Sequence, residues 1–437
     1  MTKTSSNAAY SLTSVLLLFT PMQLAAQNES PPEILLTYAA EIAALKSNPQ
    51  IQVAMAHVVA IEEQLQQDLV ELTEIPAPPF EERNRAERIT EMMRDAGLRD
   101  VIIDEVGNAI GLRPGRAGIR TIAYSAHLDT VFPAGTDVTV RYRDGKMYAP
   151  GIGDNSRGLV TMLGVLRALQ HAGIETEADL MFIGNVGEEG LGDLRGVKHL
   201  FREGARPIDT LIVVDGGTSA RIVNGGVGSH RYRVTFKGPG GHSWSAFGLA
   251  NPHHALGRTI RIFDENASDI TSVGEKTSYN IGRVGGGTSV NSIPSESWME
   301  VDMRSGDQSK LDAIDAVLQA AIRQALNEEN QERLDGPALT VDIERVGTRP
   351  AAQGTAHSPI VQRALAATAA FGIDPYLESS STDANLPISL GIPAVTMSRG
   401  GVSGNSHSMD EWWQNVDGHL GIQIGLVTLL AEAGLAN

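Results

Sequence analysis

ADLMFIGNVGEE, residues 178–189, begins as a short apolar run and ends in two adjacent carboxylates, Glu188 and Glu189. An apolar run of this length predicts a strand that is buried on both faces, as in a parallel sheet. Acidic groups that directly follow such a strand lie at its carboxyl end, where open α/β sheets place their active sites. The stretch therefore predicts an α/β fold with a functional site at one edge of the sheet.

Two other stretches have the same form. IRTIAYSAH, residues 119–127, predicts a strand that ends in His127, and TLIVVD, residues 210–215, predicts one that ends in Asp215. Residues 155–173, NSRGLVTMLGVLRALQHAG, have the periodicity of a helix with one apolar face. Alternating strands and helices are typical of α/β domains, and we predict a catalytic domain with a central mixed sheet.

The pattern changes between residues 221 and 347. Segments such as SHRYRVTFKGPGG and SESWMEVDMRS alternate like antiparallel strands, and two longer segments have helical spacing. We therefore predict an inserted α+β module, in which two helices cover one face of an antiparallel sheet. A chain of 437 residues is too long for one core, so we predict a catalytic domain in two parts, residues 27–220 and 348–437, interrupted by this module.

The first 26 residues resemble a targeting segment rather than part of either domain. Lys3 precedes the apolar run YSLTSVLLLF, and the small-residue run LAAQ follows. This order predicts a secretory signal peptide that is cleaved near Ala26, and therefore a periplasmic or secreted protein. A buried N-terminal helix is the alternative. The apolar run is too short to span a bilayer, so we expect no stable membrane anchor.

Composition excludes several kinds of partner. The formal net charge is −17, which disfavours binding to nucleic acid or to an anionic membrane. The chain has no cysteine, so neither disulfides nor thiolate metal ligands are possible.

Five residues in separate segments can hold metal ions: His127, Asp154, Glu189, Asp215 and His407. Two imidazoles and three carboxylates would give each of two cations one histidine, one carboxylate of its own and a share of a bridging carboxylate. Such a set is typical of a hydrolytic zinc site with room for a water.

Two more carboxylates lie beside ligands without being needed as ligands. Asp129 follows His127 by two residues, and Glu188 directly precedes Glu189. An orienting group and a general base are required at such places. The sequence therefore indicates an enzyme.

The motifs HLD, GDN, GEEG, a strand ending in Asp215, and GNSHS with DEW occur in this order. Together they resemble the co-catalytic zinc peptidase family, which includes carboxypeptidase G, peptidase T, carnosinase-type dipeptidases, aminoacylase and succinyl-diaminopimelate desuccinylase. The resemblance runs from about Leu65 to the C-terminus. It implies a zinc-exopeptidase-like fold, two Zn²⁺ ions with Co²⁺ or Mn²⁺ as substitutes, and an inserted domain that serves as lid and dimerisation domain.

The resemblance also implies how the ligands are shared. His127 and Asp215 would hold one zinc, Glu189 and His407 would hold the other, and Asp154 would bridge the two.

Two further roles follow from the resemblance and the spacing. Glu188 would act as general base on a metal-bridging water. Asp129 would accept a hydrogen bond from the free ring nitrogen of His127 and so fix its tautomer.

Further site residues are implied by looser matches. His242 in KGPGGHSW resembles the histidine that reaches the active site of a neighbouring subunit and stabilises the oxyanion, which implies a homodimer; a loop histidine without that role is the alternative. Asn291 and Arg304 match lid residues that bind the substrate. Gly401 and Asn405, in and beside the loop GGVSG, match the loop that lines the pocket for the substrate carboxylate.

Three functions remain open on these residues. The first is a secreted metallo-exopeptidase acting on dipeptides and tripeptides, because peptidase T-like and dipeptidase members tend to have Asp at the position of Asp215. The second is an N-acyl-amino-acid amidohydrolase, a class whose members tend to have Glu there. The third is a non-catalytic zinc-binding protein, which would need neither Glu188 nor Asp129.

Overall fold

The computed structural model describes residues 31–436. The predicted signal peptide, residues 1–26, lies outside the described residues.

The helices of the described residues fall mainly at the N-terminus, around the central sheet and on the inserted module. They are α1 Leu36–Ser47, α2 Pro49–Ala60, α3 Glu62–Thr73, α4 Arg83–Asp95, α5 Gly158–His171, α6 Arg195–Leu200, α7 Pro252–Thr271, α8 Gln308–Glu332, α9 Pro359–Ala370, α10 Asn385–Ser389 and α11 Gly418–Ala433.

The strands of the described residues form two large and two small sheets. They are β1 Asp100–Ile103, β2 Ala109–Arg113, β3 Thr121–His127, β4 Arg141–Arg143, β5 Lys146–Tyr148, β6 Asp179–Asn185, β7 Thr210–Val214, β8 Arg221–Gly226, β9 Gly228–Lys237, β10 Gly241–His242, β11 Thr277–Gly286, β12 Ser292–Ile293, β13 Glu296–Ser305, β14 Thr340–Arg349, β15 Ala352–Gln353, β16 Tyr376–Ser380, β17 Ala394–Met397, β18 Val402–Gly404 and β19 Trp412–Gln414.

The central sheet has nine strands in the order β1-β2-β6-β3-β7-β17-β8-β15, and β16 also pairs with β8. Its middle is parallel, because β3 pairs in parallel with both β6 and β7, and β17 pairs in parallel with β7. Antiparallel strands flank this middle on both sides. The predicted α/β fold with a central mixed sheet is confirmed.

The middle strands are apolar throughout because both of their faces are covered. Every residue of β3, β6 and β7 is buried. Alternate side chains enter different clusters: Phe182 packs in the large core with the helices, whereas its neighbours Met181 and Ile183 pack in a smaller cluster on the other face. This is the period-2 alternation of a strand between two layers.

The inserted module is a four-stranded antiparallel sheet, in the order β11-β13-β9-β14, with helices α7 and α8. It has its own hydrophobic cluster, which includes Phe236 and Phe263. Both helices begin at a capping side chain, since Asn251 accepts a hydrogen bond from the backbone N of His253 and Asp307 accepts one from Ser309. The antiparallel sheet with two helices agrees with the predicted lid.

The predicted start of the inserted module at residue 221 differs from the position of its sheet. Strand β8, Arg221–Gly226, pairs with β17 and β16 and so belongs to the central sheet. The four-stranded sheet runs from Gly228 to Arg349. Residues 221–226 do not alternate, and the strands that β8 pairs with lie far away in sequence, so no local pattern could assign β8 to the central sheet. The remaining domain boundaries stay a prediction.

Within residues 31–436, no helix is both long enough and apolar enough to cross a membrane.

Candidate active site

The predicted metal ligands lie at the carboxyl ends of the parallel strands. His127 is the last residue of β3, and Glu189 and Asp215 follow shortly after β6 and β7. Asp154 lies in the irregular turn Ile152–Arg157, directly before α5, where its own backbone is not helical and its peptide bond to Asn155 is cis. His407 lies in the loop between β18 and β19.

Asp154 lies between the two histidines, with one oxygen facing each. Its Oδ1 is 3.2 Å from Nε2 of His127, and its Oδ2 is 3.3 Å from Nε2 of His407. Each imidazole nitrogen also faces a second carboxylate, since Asp215 Oδ1 lies 3.9 Å from His127 and Glu189 Oε1 lies 3.0 Å from His407. The five side chains therefore form two groups that share Asp154.

These separations fit metal binding. Two ligand atoms bonded to one tetrahedral zinc at the usual lengths lie roughly 3.3 Å apart. The ligand atoms of His127, Asp154 and Glu189 all lie within 4.8 Å of one another. The donors are oxygen and imidazole nitrogen, which suits zinc and its common substitutes.

The electrostatics of the site show that it lacks positive charge. Burial and the charge of Asp154 raise the pKa of Asp215 to about 6. Burial raises the pKa of Glu189 to about 7, and the charges of Glu188 and Asp154 act in the same direction. The hydrogen bond to His407 opposes this rise. Carboxylates packed this closely are stabilised by bound cations.

The two imidazoles respond in the opposite direction. The hydrogen bonds with Asp154 and Glu189 raise the pKa of His407 to about 10, against the effect of burial. Burial alone would lower the pKa of His127, but its hydrogen bonds with Asp129 and Asp154 outweigh burial and raise that pKa well above its usual range. In the metal-free site, the protons on the two imidazoles therefore supply the positive charge that bound cations would supply.

Asp129 acts on its neighbours in a different way from the one expected. Nδ1 of His127 lies 3.0 Å from the backbone oxygen of Asp129 and 3.7 Å from its carboxylate, so the ring is oriented mainly by the carbonyl. The carboxylate instead accepts hydrogen bonds from the backbone N–H groups of Glu188, at 3.0 Å, and Glu189, at 2.7 Å. Asp129 therefore positions the predicted general base and its neighbouring ligand.

Glu188 has a partner that sequence reasoning missed. Nη1 of Arg349, the last residue of β14, lies 2.8 Å from Oε1 of Glu188 and also donates to Ser381 Oγ at 2.9 Å. Nη2 of Arg349 donates to the backbone oxygen of Glu188. Burial lowers the pKa of Arg349, but the charges of Glu188 and Asp383 outweigh burial and raise it. No local motif marks Arg349, which is 161 residues from Glu188.

Glu411 is a second residue whose role was missed, although its DEW segment was recognised. Its carboxylate is fully buried and accepts hydrogen bonds from the backbone N–H groups of Gly151, Gly153 and Asp154, at 3.0, 2.9 and 2.7 Å. Burial and the charge of Asp154 raise the pKa of Glu411 to about 7. Glu411 thus ties the turn that carries Asp154 to the segment that carries His407.

The expected substrate residues divide into two groups. Arg304 and Gly401 line the cavity above the ligands. His242 and Asn291 lie exposed at the small β10–β12 sheet and do not line this cavity in the described chain. Asn405 does not line it either, and its Nδ2 donates a hydrogen bond to the backbone oxygen of Asp410.

The cavity has a volume of about 610 Å³. Besides four of the five predicted ligands and Glu188, its wall contains several hydroxyl side chains, four glycines and five arginines: Arg221, Arg231, Arg304, Arg349 and Arg399.

Comparison with known proteins gives a consistent result. The family model described as Peptidase family M20/M25/M40 matches residues 123–432. A curated relative, the succinyl-diaminopimelate desuccinylase of Corynebacterium glutamicum, is 27% identical over 237 residues. That alignment covers 53% of this chain and 64% of the desuccinylase, which is less than two thirds of it.

Solved structures share the fold. The aminopeptidase PepT of Bacillus cereus superposes with a TM-score of 0.66 at 24% identity, over 85% of this chain and 98% of that one. The Bacillus subtilis protein YXEP, described as a dinuclear metal-binding peptidase, gives a TM-score of 0.62 at 18% identity, over 86% and 99% of the two chains.

Proposed function

This chain belongs to peptidase family M20/M25/M40, and from this we propose that it is a di-zinc metallo-exopeptidase for short peptides. Membership makes it a hydrolase of peptide or amide bonds. The observation that carries the finer proposal is the position of Asp154, whose two oxygens face His127 and His407 separately. A carboxylate with one oxygen toward each histidine is suited to being shared between two cations.

The proposed chemistry assigns one task to each group. Two zinc ions, when bound, would polarise the scissile carbonyl and lower the pKa of a water. Glu188 would take the proton of the attacking water and pass it to the leaving amine. Arg349 holds Oε1 of Glu188, which leaves Oε2 available for the proton, and Asp129 fixes the backbone on which Glu188 lies.

Peptides are the preferred substrate class because of Asp215. Members of the resembling family that cleave dipeptides and tripeptides tend to carry Asp at this place, and the deacylases tend to carry Glu. The segment SSSTDANLPISLGIP, residues 379–393, also resembles peptidase T more than the deacylases.

An N-acyl-amino-acid amidohydrolase is the second candidate. It is favoured by the similarity to a desuccinylase, and it would use the same ligands and general base on a different substrate.

We further propose a homodimer in which His242 serves the partner's site. Three large apolar side chains lie exposed near His242. Trp244 and Phe247 follow it along the chain, and Val290 precedes the strand that pairs with it, β12. Exposed apolar side chains of this size are typical of a surface that another protein covers. A second copy of this chain would bury them and bring His242 to the site that it does not reach in its own chain.

Export is also proposed, from the apolar run and small residues of the first 26 positions. Expression of the full chain in a Gram-negative host, followed by fractionation and sequencing of the mature N-terminus, tests it. A protein that keeps residues 1–26 and stays in the cytoplasm contradicts it.

The proposed activity is tested on a panel of dipeptides, tripeptides and N-acetyl and N-succinyl amino acids, with zinc and with a chelator. We expect zinc-dependent release of free amino acids from the peptides. Cleavage of only the N-acyl compounds would select the second candidate, and zinc binding without any cleavage would select a binding protein.

A further inference from the structure

Two of the five arginines of the cavity each form an ion pair with a carboxylate of their own. Arg349 pairs with Glu188, and Arg221 pairs with Glu378. Asp154, Glu189 and Asp215 face the imidazoles as metal ligands. Two divalent cations would exceed the charge of three carboxylates.

Two of the remaining three arginines of the cavity share one carboxylate. Arg231 and Arg304 both bind Asp302, one at each oxygen, with distances of 2.8 and 2.7 Å. One carboxylate thus serves two guanidinium groups. Arg304 is the side chain already expected to bind a substrate carboxylate, which would balance that pair.

Arg399 is the remaining arginine, and it has no hydrogen-bonded carboxylate among the described residues, although its charge acts to lower the pKa of Asp154, Asp215 and Glu411. It is only 2% exposed, yet its Nε and Nη1 make no hydrogen bond to any described residue. Its nearest carboxylate oxygen is Oδ1 of Asp154, at 3.6 Å from Nη1, and Nη2 donates to Ser403 Oγ at 3.1 Å. Because both oxygens of Asp154 also face imidazole nitrogens, Asp154 cannot balance Arg399 once it binds cations.

A buried guanidinium without full hydrogen bonding is costly, and its planar fork matches a carboxylate. We propose that the substrate carries a second carboxylate in addition to the one expected at Arg304, and that Arg399 and Ser403 bind it. The substrate class is then an acidic short peptide, with Asp or Glu next to the scissile bond. This proposal rests on the proposed function for its peptide part, and on the charges of the cavity for its acidic part.

Pairs of peptides that differ only in charge test the proposal on the unmodified zinc-loaded enzyme. The pairs are Ala-Glu with Ala-Gln, and Glu-Ala with Gln-Ala, so that either side of the scissile bond is sampled. A charge-assisted bidentate contact predicts that the acidic member of at least one pair has a kcat/KM higher by about 10-fold or more. Equal or faster cleavage of the amide member in both pairs overturns the proposal and leaves the peptidase function intact.

Variants connect the preference to Arg399. Arg399→Gln should reduce the preference to near unity, and Arg399→Lys should keep part of it, because the charge remains without the fork. Arg283→Gln is the matched control, since Arg283 is an exposed arginine that pairs with Glu300. A preference that survives in folded Arg399→Gln, as judged by its melting temperature, overturns the role of Arg399.

Binding separates this proposal from the proposed function. If zinc-loaded protein cleaves no peptide, the proposed peptidase function is wrong. Calorimetric titration with glutarate and with butyrate then tests whether the cavity binds a second carboxylate. Glutarate should bind about 10-fold or more tightly than butyrate to the parent protein, and equally to Arg399→Gln. Equal binding of the two acids to the parent protein overturns the inference as well.

Discussion

Nη1 of Arg349 lies 2.8 Å from Oε1 of Glu188, and both side chains are almost completely buried. Arg349 ends the last strand of the four-stranded sheet of the inserted module, whereas Glu188 lies beside the predicted metal ligand Glu189, after a strand of the central sheet. The lid and the predicted general base are thus joined by one ion pair. The position of the lid strand therefore determines where the carboxylate of Glu188 points.

Arg349→Met is expected to destabilise the protein strongly. Removing one partner of a buried ion pair leaves the other charge unpaired, which costs about 3–5 kcal/mol. Urea denaturation of the metal-free protein measures the loss, and Arg349→Lys should restore part of it. The double variant with Glu188→Gln should lose much less than the sum of the single losses. Additive losses would show that the pair contributes no coupling.

Glu188→Gln is expected to lower kcat by about 10²–10⁴-fold while zinc content stays at the parent level. The amide keeps the shape of the side chain but cannot accept the proton. Turnover and metal analysis on the same preparation measure both quantities. Glu87→Gln, a partly exposed position on α4, is the control. Near-parent activity in fully metallated Glu188→Gln would remove Glu188 as general base.

Asp154→Ala is expected to lose both zinc ions together, whereas His407→Ala should weaken mainly one. The shared carboxylate serves both cations and screens their mutual repulsion. Metal analysis after dialysis against graded chelator concentrations separates the two patterns. One zinc held tightly by Asp154→Ala would contradict the bridging role.

Zinc binding is expected to release protons at pH 7 and to strengthen as the pH rises from 6 to 8. In the metal-free protein the pKa of His407 is about 10 and that of His127 is also raised. Both rings therefore hold an extra proton at pH 7, and each proton must leave before the nitrogen can bind a cation. Titration calorimetry in buffers of different ionisation enthalpy counts the protons. Affinity that is independent of pH in this range would contradict these raised pKa values.

Mixed dimers of His242→Ala and Glu188→Gln subunits are expected to recover activity that neither parent variant has. One site of such a dimer would combine an intact Glu188 with His242 of the other chain. Loss of an oxyanion donor costs about 3–4 kcal/mol in the barrier, so each variant alone should be almost inactive. Tagged co-purification confirms that subunits have exchanged. Exchange without recovered activity would place His242 in its own chain's site or outside catalysis.

That the predicted ligands lie close together could be anticipated for three of them, because each ends or follows an apolar strand. His127 and Asp215 close apolar strands, and these strands are central in the sheet, so their burial is visible in their composition. Glu189 follows the same kind of strand. Parallel strands carry their carboxyl ends to one edge, so the sequence pattern also predicted that the ligands meet.

What could not be predicted depends on distant pairing. Arg349 meets Glu188 only because the end of β14, a strand of the inserted module, lies against the segment that follows β6. Strand β8 joins the central sheet through strands found more than a hundred residues later. Asp129 contacts His127 as predicted, but through its backbone oxygen rather than through its carboxylate. Backbone carbonyl and carboxylate compete for the same ring nitrogen, and the direction of the chain after β3 decides between them.

The place of β17 in the central sheet has a consequence for the order in which the chain is synthesised. This late strand lies between β7 and β8, which are made well before it. The loop between β18 and β19, which is made later still, carries His407 and Glu411. A nascent chain that has reached the end of the lid already contains four of the ligands, but the gap in its sheet is still open and the turn of Asp154 lacks its anchor. The predicted two-cation centre can therefore form only after residue 411 has been made, and a nascent chain that ends at the lid can offer a metal ion just one imidazole of the pair.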